Sequence, residues 1–123
     1  MGLTVLIVDD NQPFLEAARG LLERQGLDVL DVASTTTQAL VRLGELRPDI
    51  VLVDINLGAE NGFDLARQVT DDGLGLRSTV IMMSTDPESD FTDVLALSKA
   101  AGFMAKSELS GAAVRAIYQH RER

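Results

Sequence analysis

Residues 3–10 read Leu-Thr-Val-Leu-Ile-Val-Asp-Asp. From Leu3 to Val8 the run is apolar except for Thr4 and rich in branched side chains, and it stops at two adjacent carboxylates. A strand with one wet face would alternate polar and apolar residues. A short continuous apolar run is the pattern of a strand covered on both faces, as in a parallel sheet. Pro13 then suits the first turn of a helix, where its missing N–H is not needed. Phe14, Leu15, Ala18, Leu21 and Leu22 fall on one face of that helix, and Gly26 ends it.

The strand–helix cycle repeats. Val29–Ala33 reads as a second strand, weakened by Asp31. Ser34 or Thr35 can cap a second helix with Ala39, Leu40, Leu43 and Leu46 inward, closed off by Pro48. Ile50–Val53 is a third strand ending at Asp54. A glycine-containing loop leads to a third helix with Phe63, Ala66 and Val69 inward, and the turn-rich stretch 72–78 follows. Thr79–Met83 is a fourth strand ending at Ser84, and Phe91–Ala101 a fourth helix with Phe91, Val94, Leu95 and Leu97 as its apolar positions. Phe103–Ala105 is a fifth strand ending at Lys106. Ser110 caps a last helix whose inner face is expected to be Ala112, Ala113, Ala116 and Ile117. Strands alternating with helices imply an α/β fold, a five-stranded parallel sheet with helices on both faces.

The totals narrow the function. A chain of 123 residues fits one domain, expected over 1–123, and can bury a core unaided. It contains no cysteine, which excludes thiol catalysis, zinc–thiolate sites and disulfides. With 11 basic and 19 acidic side chains the net charge is −8, a poor match for nucleic acid or an anionic membrane. The first apolar run is too short for a signal peptide, so a cytoplasmic location is expected.

Four of the five expected strands end on chemically capable residues: Asp9-Asp10, Asp54, Ser84 and Lys106. Taken singly, each has an ordinary explanation as a cap, a turn former or a surface charge. The fold brings all four strand ends to one edge of the sheet, where ligands bind in such folds. Three carboxylates gathered there repel one another, and a hard divalent cation such as Mg2+ would relieve the repulsion. Lys106 adds a mobile positive charge and Ser84 a hydroxyl donor. These parts suit phosphoryl transfer to a carboxylate, with Asp54 as the nucleophile that forms an acyl phosphate.

The stretches LIVDDNQPF, DIVLVDINL, NGFDLARQV, VIMMSTD and GFMAKSEL, in this order across nearly the whole chain, resemble the response regulator receiver domain of two-component signalling. The resemblance implies a flavodoxin-like fold with strand order 2-1-3-4-5. It implies a phosphoacceptor at Asp54 that takes its phosphoryl group from a sensor histidine kinase or a phosphotransfer protein. In it Asp10 is a direct Mg2+ ligand, Asp9 reaches the metal through water, and Asn56 supplies a backbone carbonyl. Ser84 and Lys106 contact phosphoryl oxygens, and Ser84 and Phe103 act as switch residues. Phosphorylation would reshape the face of the fourth helix, fifth strand and fifth helix, which a partner or a second copy of the domain reads. Such a domain is a signalling phosphoacceptor that assists its own phosphorylation and dephosphorylation, not an enzyme acting on a separate substrate.

Three positions depart from the family pattern. Gly58 stands where proline is common, which suggests a looser acceptor loop. Thr85 is bulkier than usual beside Ser84. Ser107 replaces a proline, which makes a cis bond after Lys106 less expected. Asn56 and Asp86 flank the approach of an attacking water and are expected to set the acyl phosphate's lifetime. His120, the single histidine, reads as a surface residue. Two other readings compete: an interaction module that works unphosphorylated, and a phosphohydrolase of the haloacid dehalogenase type, whose acidic motif Asp54-Ile55-Asn56 faintly resembles.

Overall fold

The central strand shows why the sequence demands two covering layers. Along Ile50–Asp54 (β3) every residue is buried. Val51 and Val53 face one core with Leu6 and Val8, while Ile50 and Leu52 face the other with Val5 and Ile7. Both sides of the pleat are therefore dry, and the apolar residues run continuously instead of alternating. The computed structural model describes residues 2–71, 78–85 and 100–121. In chain order, β1 (Thr4–Val8), α1 (Gln12–Arg24), β2 (Asp28–Ala33) and α2 (Thr36–Leu46) precede β3. After it come β4 (Asn56–Leu57), β5 (Glu60–Asn61), α3 (Gly62–Asp71), β6 (Thr79–Ser84), β7 (Gly102–Ala105), a 3-10 turn (Lys106–Glu108) and α4 (Gly111–His120). The main sheet has the order β2-β1-β3-β6-β7, all parallel. Numbered within that sheet, this is the expected order 2-1-3-4-5.

Leu15, Ala18 and Leu22 of α1 and Val114 of α4 cover one face. Ala39 and Leu43 of α2 cover the other, with Leu65, Ala66 and Val69 of α3. The starts of α1, α2 and α4 are built as polar caps. Asn11 accepts from Phe14 N at 3.1 Å, Thr35 from Gln38 N at 3.1 Å, and Ser110 from Ala113 N at 3.0 Å. Thr35, not Ser34, is thus the cap of α2. Pro48 disfavours helical geometry at the residue before it, and Arg47 leaves α2 in the left-handed region at φ 49°.

Several expectations shift. Asp31 does not interrupt β2, because its carboxylate pairs with Arg42 Nε at 2.7 Å and accepts from Val32 N at 2.8 Å. A one-residue irregularity after Val5 lets β2 keep pairing with β1. Leu46 is exposed at the end of α2. On α4 the inner face is centred on Val114; Ala112 and Ala116 face solvent, and Ala113 and Ile117 are half-buried. Ile117 of this helix sits where a side chain on Gly102 of β7 would stand, at 2.8 Å from the position of its Cβ. The expected fourth helix lies almost wholly outside the described residues. So do Asp86 and nearly all of the 72–78 connection.

Candidate functional site at the carboxyl edge of the sheet

The register lines up the strand ends. Val8 pairs with Val53, Asp54 with Met83, and Ser84 with Ala105. Asp9, Asp54, Ser84 and Lys106 therefore share one edge, as the sequence pattern requires. Lys106 Nζ stands 3.0 Å from Asp54 Oδ2 and forms an ion pair with Asp9 Oδ2 at 2.6 Å. The Lys106 side chain is 13% exposed, while Asp9 is fully enclosed. Asp9 Oδ1 accepts from Asn11 N at 2.9 Å, and Asp54 Oδ1 accepts from Asn56 N at 3.2 Å. Each carboxylate is held by the backbone two residues ahead, an Asx turn that fixes its direction.

Burial pushes the Asp54 carboxyl above its ordinary pKa, and the negative charge of Asp9 adds to this. The Lys106 hydrogen bond and the Asn56 N–H pull the other way without prevailing. Burial alone would lower the pKa of Lys106, but the hydrogen bonds and charges of Asp9 and Asp54 outweigh it and hold the value above normal. The ammonium is thus firmly charged, and it partly offsets a crowd of buried negative charge.

The carboxylates suit a cation. Asp9, Asp10 and Asp54 each present an oxygen, and all three oxygens lie within 4.8 Å of one another. An all-oxygen set, two buried and one exposed, fits a hard ion that keeps part of its water shell, as Mg2+ does.

The loop after Asp54 folds back on itself around the glycine at 58. Asn56 pairs with Asn61 and Leu57 with Glu60 in a two-residue hairpin. Gly58 takes φ 65° at the first turn position, as the primed turns of tight hairpins require. A side chain there would come within 3.2 Å of Asp10 Oδ2. Glycine therefore serves the turn and leaves room for the acidic cluster, and proline's fixed negative φ would not allow this backbone. The hairpin is pinned at both ends: Glu60 accepts from Thr36 N at 2.7 Å, and Gly62 N donates to Ile55 O at 2.8 Å.

Ser84 is buried at the end of β6, beside exposed Thr85. Lys106 leaves β7 into the 3-10 turn, and every peptide bond among the described residues is trans, including that to Ser107. Phe103 is half-buried against the core beneath α2 and α3. His120 is exposed and lines a pocket with Thr79 and Val80 at the start of β6, the opposite end of that strand from Ser84. Three contributors escaped the sequence reading. Asn11 both caps α1 and holds Asp9. Phe14, assigned only to the core, places its ring 4.5 Å from Lys106 Nζ. Gly62 lies so close to Asp54 that a methyl group would fall on the Asp54 carbonyl. Asn11 ahead of Pro13 was an available sign of the cap; the contacts of Phe14 and Gly62 need the fold.

A sheet of this order with this acidic edge is the arrangement of a receiver-type α/β domain. The family model of the response regulator receiver domain matches residues 5–117, and the chain belongs to that family. It is 36% identical over 90 residues to the phosphate regulon transcriptional regulatory protein PhoB of Pseudomonas aeruginosa, covering 73% of this chain and 39% of that protein. It is 32% identical over 104 residues to the virulence regulator BvgA of Bordetella pertussis, covering 85% of this chain and 49% of that one. The chain thus spans less than half the length of these relatives. Among solved structures, a LuxR-family two-component response regulator from Aurantimonas sp. SI85-9A1 superposes with a TM-score of 0.85 at 25% identity, covering 98% of this chain and 88% of the other. No helix of the described residues is long and apolar enough to cross a membrane.

Proposed function

We propose that this domain accepts a phosphoryl group on Asp54 from the phosphohistidine of a sensor kinase or phosphotransfer protein. The observation that carries the reading is Lys106, largely buried and held between Asp54 and Asp9 at 3.0 and 2.6 Å. An Asp54 oxygen attacks phosphorus, the bond from phosphorus to the donor's imidazole nitrogen breaks, and that nitrogen takes up a proton. Lys106 follows the charge as it spreads onto the phosphoryl oxygens, and Ser84, at the end of the next strand, donates its hydroxyl to another. Asn56 N holds Asp54 Oδ1, which leaves Oδ2, the oxygen now facing Lys106, as the nucleophile. Asp9, Asp10, Asp54 and the Asn56 carbonyl would hold Mg2+. When bound, the ion neutralises the carboxylates and the incoming phosphate.

The added charge then draws Ser84 inward and repacks Phe103, altering the surface around β7 and α4 that a partner or a second copy reads. Asn56 and Asp86 govern how fast water removes the phosphate. The acidic surface argues against direct nucleic-acid contact by this domain, and a cytoplasmic site of action accords with a kinase donor. The test is uptake of phosphate from a small phosphodonor. Wild type should form a base-labile, Mg2+-dependent phosphoprotein and Asp54→Asn should not; equal uptake by Asp54→Asn would move the acceptor elsewhere.

A further inference from the structure

We infer that Phe14 is a positioning residue for Lys106, its ring acting as the third wall of the ammonium's seat. Asp9 and Asp54 take Lys106 Nζ from two sides, at 2.6 and 3.0 Å. The Phe14 ring centroid lies 4.5 Å from the same nitrogen, within the range of a cation–π contact. The aromatic face offers negative potential to the ammonium and presents no donor or acceptor of its own. It therefore covers the cation without competing for its hydrogen bonds.

Phe14 is itself held by the site it serves. Its backbone N–H donates to Asn11 Oδ1 at 3.1 Å, Asn11 N donates to Asp9 Oδ1 at 2.9 Å, and Asp9 Oδ2 returns to Lys106. The contacts close a circuit: Lys106, Asp9, Asn11, Phe14 and back to Lys106. The start of α1 thereby fixes both a carboxylate and an aromatic ring against a lysine that arrives from β7. An aliphatic residue at position 14 would fill the same volume and leave the circuit open on the ammonium's third side. Lys106 would keep its ion pairs with Asp9 and Asp54 but, without the ring, its flexible four-carbon stem would sample more rotamers around them.

The inference rests on Asp54 being the phosphoacceptor and Lys106 its partner, so the experiment separates the two. The first readout needs no phosphorylation: in NMR spectra of the metal-free protein, the Lys106 Hε protons should be shifted upfield by the ring, and Phe14→Leu should abolish the shift while Phe14→Tyr retains it. Unshifted Lys106 Hε resonances in wild type would overturn the inference, whatever the phosphorylation result. The second readout is the rate constant for phosphorylation by a small phosphodonor at saturating Mg2+. Phe14→Leu should lower it about five-fold, the size that a partly desolvated cation–π contact supports, with Mg2+ affinity unchanged and Phe14→Tyr restoring the rate. A wild-type rate in a folded Phe14→Leu protein would reduce Phe14 to core packing. Failure of wild type to take phosphate on Asp54 would instead sink the proposed function.

Discussion

Gly62→Ala tests how tightly the acceptor strand is built into its loop. Gly62 opens α3 directly against the backbone of Asp54. A Cβ at this position would overlap the Asp54 carbonyl oxygen and lie 3.0 Å from its carbon and 3.1 Å from Ile55 Cα. All three obstacles are backbone atoms of Asp54 and Ile55, so no rotamer change relieves the overlap. Either the start of α3 or the end of β3 must move, and the Gly62 N–Ile55 O bond of 2.8 Å joins the two. Forced overpacking of this kind costs about 3 kcal/mol. Alanine's better helix propensity returns about 1 kcal/mol of that. The net loss is then about 2 kcal/mol, which for a domain of this size lowers Tm by about 8 °C. Because the displaced atom is the acceptor's own carbonyl, the phosphorylation rate should fall at least about tenfold, as small misplacements of reacting groups do. Thermal unfolding followed by circular dichroism, with uptake from a small phosphodonor in the same preparation, measures both. A Gly62→Ala protein with wild-type Tm and rate would refute the claim that this approach fixes Asp54.

Thr4→Val keeps shape and strand preference but removes the hydroxyl's share of the tie between the starts of β1 and β3, leaving only the bond from the residue 4 N–H to Asp49 Oδ2. There Thr4 Oγ1 accepts from Asp49 N at 2.8 Å and donates to Asp49 Oδ2 at 3.1 Å. Urea unfolding should show a loss of about 1.5 kcal/mol from the unpaired Asp49 N–H, and an unchanged midpoint would contradict this. Asp54→Asn should stabilise the protein in the absence of divalent cations. A carboxyl whose folded pKa is raised binds its proton more readily when folded, so the wild type loses stability as pH rises through the window above the unfolded value. The gain from asparagine should therefore be present at neutral pH and fade as pH falls below the unfolded carboxyl's pKa. A difference that stays constant with pH would count against the raised value.

The main architecture was legible because the central strands carry it in their composition. Leu3–Val8 and Ile50–Val53 read as strands covered on both faces, and their alternation with amphipathic helical stretches pointed to a covered parallel sheet. The convergence of Asp9, Asp10, Asp54, Ser84 and Lys106 followed from strand ends alone. Other features depended on tertiary neighbours. The inner face of α4 was misread because alanine sits as readily in solvent as in a core; Val114 is buried while Ala112 and Ala116 are exposed. The β4–β5 hairpin is four paired residues around Gly58, too short to leave a periodic pattern. Asp31 looked like an interruption because its partner, Arg42, lies on a helix that only the fold brings near.

The central claim is that Asp54, and not its carboxylate neighbours, bears the phosphoryl group. Borohydride reduces an acyl phosphate to an alcohol and so converts the modified aspartate to homoserine, which survives proteolysis. After reaction with Mg2+ and a small phosphodonor, peptide mass spectrometry should find homoserine at position 54 and aspartate intact at positions 9 and 10. Homoserine at Asp9 or Asp10, or at no position in a protein shown to be folded and metal-bound, would contradict the account.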